Sequence, residues 1–179
     1  GVDTVSRREY TLQVKNLLTG EVLDVAITNT TGASTWASDN KTLFYSRKDA
    51  VTLRSDKIYK HVIGTPMTAD VLVYHETDDT FDTFIYKEKS RKFLVIGSES
   101  TLTSEYQILE ANNPQGEFRI FQKRERGVEY GISHYDNRFY ILTNKDDADN
   151  FKLMSCPETQ TATEHWTELI PHREDVLLE

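Results

Sequence analysis

The sequence predicts an all-β fold: a partial β-propeller of about three four-stranded antiparallel blades, preceded by the outer half of another. Three observations predict it. Short alternating runs of Val, Ile, Thr, Tyr and Phe recur throughout the 179 residues, and these residue types suit a pleated, half-buried surface. Polar turn clusters separate the runs. The runs also repeat. Second strands start at Leu43, Phe93 and Phe139, offset by 50 and 46 residues. Third strands start at Lys57, Glu105 and Asn150, offset by 48 and 45. Fourth-strand segments start at Leu72, Phe118 and Thr167, offset by 46 and 49. A period in the mid-forties with four strands per unit is the size of a propeller blade. A β-sandwich also spaces its strands closely, but nothing in it keeps one period through three units.

The first unit, 1–34, holds two strands and a connector. Tyr10, Leu12 and Val14 alternate with Thr11, Gln13 and Lys15, the period of a strand with one buried face. Residues 18–21 make a turn, where Gly20 takes positive φ at low cost, and 22–28 make the second strand. The small residues 30–34 read as a connector. This hairpin lacks two preceding strands and is the expected outer half of a blade.

The second unit, 35–80, is the first complete blade. Trp36 opens it. Residues 38–41 form a tight turn, where the side chains of Asp39 and Asn40 bond nearby backbone. Strands follow at 42–46, 57–62 and 71–76, with a long polar loop at 47–56 and a stop at Gly64 and Pro66. The third unit, 81–126, repeats the plan: strands at 84–86, 93–96, 105–109 and 118–122, with turns at 88–91 and 112–116. The fourth unit, 127–179, has strands at 130–133, 139–142, 151–154 and 166–170, with a turn at 135–138, and then begins the connection to the next blade. No segment carries an amphipathic helix of ten or more residues.

Composition excludes several function classes. The net charge is −8, which opposes a nucleic-acid surface, because phosphate binding needs clustered Lys and Arg. No apolar run is long enough for a membrane helix, and no signal peptide is visible. The lone Cys156 forbids an internal disulfide and reads as a small packed residue. The triplets at 29–31 and 40–42 match a glycosylation sequon, which matters only in a secreted protein. The chain begins at Gly1, inside the repeat pattern, and reads as an excised piece of a longer protein.

No motif for covalent chemistry is present. There is no Gly-x-Ser-x-Gly elbow, no Gly-rich phosphate loop, no paired Cys and no His-Glu-x-x-His. His61, His75, His134, His165 and His172 have no ligand partner at helical spacing and read as strand or loop residues. The acidic stretch 144–150 suggests a calcium loop but lacks the Gly and the terminal bidentate Glu of an EF-hand, so it reads as solvated. Arg7 with Arg8, and Lys123 with Arg124 and Arg126, are short basic clusters of the kind that usually make weak surface pairs. The expected catalytic, cofactor-binding and metal-ligating residues in this chain are therefore none.

Several segments resemble one family. DTVSRREYTLQVKNLLTGEVL at 3–23, KIYKHVIGTP at 57–66, DVLVYHETDDTF at 70–81 and LTSEYQILEANN at 102–113 are similar to the propeller of oligopeptidase B (protease II), in the prolyl oligopeptidase group of serine peptidases. The likeness is strongest in EYGISHYDNRFYILTNKDDADNFKLM at 129–154 and WTELIPHREDVLLE at 166–179. TWASDNKTLFYS at 35–46 resembles many peptidase-associated propellers. Together the segments follow the family's order along nearly the whole chain. The resemblance implies a parent with a seven-bladed propeller over a C-terminal α/β-hydrolase domain, whose Ser–Asp–His triad cleaves short peptides after Arg or Lys. It implies no cofactor and a cytoplasmic parent. None of the catalytic positions maps onto this chain, which is expected to be inactive alone and to shield and gate the triad. A propeller acting as a protein-interaction scaffold, with loops 47–56 and 144–150 as contacts, is the alternative. Open blade edges invite self-association.

Overall fold

The computed structural model describes residues 1–4, 6 and 8–179; Arg7 of the Arg7–Arg8 pair lies outside them. Three antiparallel sheets follow one another along the chain. The first holds β1 (Tyr10–Lys15), β2 (Val22–Trp36), β3 (Thr42–Lys48), β4 (Ser55–Val62) and β5 (Val71–His75). The second holds β6 (Asp82–Lys87), β7 (Phe93–Glu99), β8 (Ser104–Glu110) and β9 (Arg119–Gln122). The third holds β10 (Tyr130–Tyr135), β11 (Arg138–Thr143), β12 (Lys152–Pro157) and β13 (Thr167–Ile170). Strands pair strictly with their chain neighbours, so each unit is a meander, as a partial propeller requires. The chain has no helix long and apolar enough to cross a membrane among the described residues.

Two expectations are corrected. Residues 30–34, expected as a connector, are strand: β2 runs unbroken for 15 residues. Its first half pairs with β1, and its second half pairs with β3. Thr30 is the crossing point, opposite Tyr10 on one side and Arg47 on the other. Asn29 and Gly32 both adopt positive φ there, and the register shifts between Thr30 and Ser34. Gly and small residues inside a strand mark a bulge or bend, not only a break. A Cβ on Gly32 would lie 3.0 Å from the Tyr10 ring, so the bend also needs glycine for space. The loop expected at 47–56 is shorter, because β3 continues to Lys48 and β4 begins at Ser55.

The core is divided among three seams between layers. Leu12 and Ile27 of the first hairpin pack on Leu43 and Tyr45 of β3. Phe44 and Ile58, on the opposite face of the first blade, pack on Ile85, Leu94, Ile96 and Leu109 of the second. Phe93, Val95, Tyr106, Ile108 and Phe121 of the second blade meet Tyr130, Ile132, Phe139, Ile141, Cys156 and Trp166 of the third. Alternation supplies both faces of each sheet, since successive side chains point to opposite sides. Among the described residues the far face of the third blade meets no further layer. Strand pairing lines up Gly131, Leu142, Leu153 and Ile170 across it.

Candidate functional site

Antiparallel meanders place their turns on two rims. One rim collects the turns that join first to second and third to fourth strands. The other collects the second-to-third turns and the linkers between blades. The two seams between blades each carry a polar cluster where they reach a rim.

At the linker rim, Arg124 joins the first two blades. Its Nη2 donates to Glu76 Oε2 at 2.7 Å and to Glu105 Oε1 at 2.9 Å. Glu76 closes the first blade, and Glu105 lies in β8 of the second. The Arg124 guanidinium also lies 4.1 Å from the Phe81 ring centroid, a cation–π contact. Burial alone would raise the Glu76 carboxyl, but Arg124, the Tyr74 hydroxyl and the Asp78 N–H outweigh it and hold the pKa below its ordinary value. The same site pushes the Tyr74 hydroxyl up to about 12, through burial and then Glu76. Arg54 donates to the carbonyls of Glu76, Asp78 and Phe81, which fixes the linker to the next blade.

At the opposite rim, His134 joins the second and third blades. Its Nε2 lies 2.9 Å from Glu158 Oε2, and its backbone N–H donates to Glu88 Oε2 at 3.0 Å. Lys92 donates to both Glu158 oxygens, at 2.6 and 2.7 Å. Lys92 and His134 hold the Glu158 carboxyl below its ordinary pKa. The imidazole sits edge-on to Phe93 and Phe139, at 4.9 and 4.8 Å.

The remaining sequence candidates are structural. His61 Nδ1 lies 2.6 Å from Asp70 Oδ1, and the Tyr45 hydroxyl donates to Asp70 Oδ2 at 2.7 Å. That trio is buried within the first blade. His75 lies 3.4 Å from Asp56 at the surface. His165 sits in a short 3-10 turn, Thr163–His165. Cys156 is fully buried, and burial pushes its thiol up to about 11, which disfavours the reactive thiolate. In the acidic turn after β11, Asp146 pairs with Lys152 at 2.9 Å. Among the described residues no serine, threonine or cysteine side chain bonds a histidine, and no metal-binding group of three or more His, Cys, Asp or Glu forms. The seam clusters were not read from sequence as sites. Arg124, expected in a basic cluster that makes weak surface pairs, instead bridges two buried carboxylates, and His134, expected as a strand residue, lies in β10; the local signals are that basic cluster and a carboxylate, Glu76, directly after an apolar strand.

The rims also carry cavities. One, of about 700 Å³, lies beside Phe81, Leu102, Thr103, Arg124 and Arg126. Another, of about 450 Å³, lies under the 49–54 turn beside Arg47, Lys57 and Tyr59.

Comparison with known proteins places this architecture. The family described as prolyl oligopeptidase, N-terminal beta-propeller domain, matches residues 1–179. Dipeptidyl aminopeptidase BI of Pseudoxanthomonas mexicana is 43% identical over 177 residues, covering 99% of this chain and 24% of that protein. Protease 2 of Moraxella lacunata is 33% identical over 150 residues, covering 83% of this chain and 21% of its own length. Oligopeptidase B from Leishmania major superposes with a TM-score of 0.88 at 33% identity, over 96% of this chain and 24% of that one. The chain thus spans about a quarter of the length of the relatives it matches.

Proposed function

The chain belongs to the prolyl oligopeptidase N-terminal β-propeller family, and on that premise we propose that it is the non-catalytic propeller part of a serine oligopeptidase. The parent enzyme cleaves short peptides after Arg or Lys. The propeller gates and shields an active site carried by a separate C-terminal α/β-hydrolase domain. The observation that carries this reading is the family match along all 179 residues, joined to relatives named as peptidases.

The physical role follows from shape. A ring of blades admits short or flexible peptides and rejects folded proteins. It also excludes water from the chemistry and holds substrate by contacts remote from the scissile bond. The charge of −8 favours approach of basic peptides, an effect that salt weakens.

The relative with 43% identity is named a dipeptidyl aminopeptidase, which favours a second reading: release of dipeptides from peptide N-termini. One experiment separates the readings. The parent protein is incubated with a peptide holding an internal Arg, and the products are identified by mass spectrometry. Cleavage after the Arg, blocked by a serine-directed inhibitor, supports the first reading. Stepwise loss of dipeptides supports the second. A parent without activity overturns both and leaves an interaction scaffold. The 179-residue chain alone is expected to be inert, and cleavage by rigorously purified chain would contradict the proposal. The parent is assigned to the cytoplasm, which cell fractionation checks.

A further inference from the structure

Several arginines of this chain are held by strong acceptors. Arg124 has two carboxylates, Arg173 has Asp175, and Arg54 has three backbone carbonyls. Arg47 differs. Among the described residues its Nη2 reaches only the Thr28 carbonyl, at 3.4 Å, and the Met67 sulfur, at 3.3 Å. Its Nε is buried without a hydrogen-bond partner. The carbonyl contact is long, and a thioether is a weak acceptor.

The guanidinium is nevertheless held in place. Its carbon lies 5.0 Å from the Tyr59 ring centroid and 5.7 Å from that of Tyr45. The two rings stack on each other at 5.7 Å with an interplanar angle of 18°, and Tyr45 is anchored by its bond to Asp70. Stacked arginine loses little further freedom when it forms a forked pair.

Arg47 lines the cavity of about 450 Å³ together with Lys48, Lys57, Tyr59, Glu9 and Asp49. Three cations line it with the carboxylates of Glu9 and Asp49, and the Asp56 carboxylate beside Lys57 balances the third. Asp49 is already occupied by its own turn, accepting from the Val51 and Thr52 N–H groups and the Thr52 hydroxyl. Lys48 donates to the Arg8 carbonyl, and Lys57 pairs with Asp56. The volume falls within the range of small-molecule pockets.

We infer that this cavity is an oxyanion-binding site, with Arg47 as its principal donor and Lys48 and Lys57 as flanking charges, for a ligand bearing a carboxylate or phosphate group. A planar guanidinium matches either oxyanion with two parallel N–H bonds.

The test is an NMR titration of the full 179-residue chain at constant ionic strength, with inorganic phosphate in one arm and succinate in the other. The arginine Nε–H resonances are followed. A saturable shift of one resonance that is lost in Arg47→Lys is expected with at least one anion, and the stronger arm identifies the oxyanion. Affinity, read from backbone amide shifts beside the cavity that every variant retains, is expected to fall about tenfold in Arg47→Lys and about threefold in Lys57→Gln. Arg173→Gln, at an exposed pair, is expected to leave it unchanged. Circular dichroism checks that each variant folds. If Arg47→Lys does not fold, Lys57→Gln decides, and unchanged affinity there overturns the assignment. Absence of a saturable shift, or equal weakening in Arg173→Gln, overturns it as well.

Discussion

A buried carboxylate is costly unless it is paired, and Glu76 is 3% exposed. Arg124 is what pairs it, and the same guanidinium serves Glu105. Arg124→Gln therefore strands two carboxylates at one seam. Loss of one partner from a buried pair costs about 3–5 kcal/mol, and because the Arg124 side chain is 28% exposed, the lower end, about 3 kcal/mol, is expected. The midpoint of urea unfolding checks it. The same pairing sets a pH dependence. The folded Glu76 carboxyl titrates below its ordinary value of 4.5, so between the two values the unfolded chain binds more protons than the folded one. The stabilisation is complete above 4.5 and is lost as pH falls below it through the folded value. Urea midpoints taken on descent into acid should drop more steeply for the native chain than for Arg124→Gln, where the advantage is already gone. Equal slopes would contradict this role for Arg124.

At the level of the strand, β7 shows how tightly two faces are filled. Its residues Phe93, Leu94, Val95 and Ile96 are all buried, because one face meets the first blade and the other meets the third. Gly97 continues this strand opposite Phe84. A Cβ on Gly97 would lie 2.6 Å from Phe84 Cε2 and closer still to Cζ. Gly97→Ala is expected to destabilise the chain by about 1–3 kcal/mol, the usual cost of overpacking. Adding Phe84→Leu should restore part of that loss, a non-additivity that a double-mutant cycle measures. Strands of this kind were legible in the sequence because alternation and apolar density are local. So was the turn at Asp39, whose carboxylate accepts the Lys41 and Thr42 N–H groups. The path of β2 was not legible, because Gly32, Ala33 and Ser34 look alike in a connector and in a bent strand. Nor were the seam clusters, since Glu76 and Arg124 are separated by 48 residues and only the stacking of blades brings them together.

On the scale of the molecule, each blade presents two faces, and the number of covered faces decides how the chain behaves. The first blade is covered by the β1–β2 hairpin and by the second blade, and the second is covered by the first and third. Among the described residues the third blade is covered on one side only. Its open side carries Leu142 and Leu153 in a row with Ile170, which is 44% exposed. A row of aliphatic side chains facing water favours association, and the open outer strand offers unpaired backbone groups beside it. The 179-residue chain alone is thus expected to self-associate through this face. Sedimentation equilibrium should show an average mass that rises with concentration. Leu153→Lys places a charge in the centre of the row without touching any seam, and should weaken association about tenfold while leaving the thermal midpoint nearly unchanged. A monomer at every concentration would refute the prediction. Unchanged association in Leu153→Lys would move the contact to another surface.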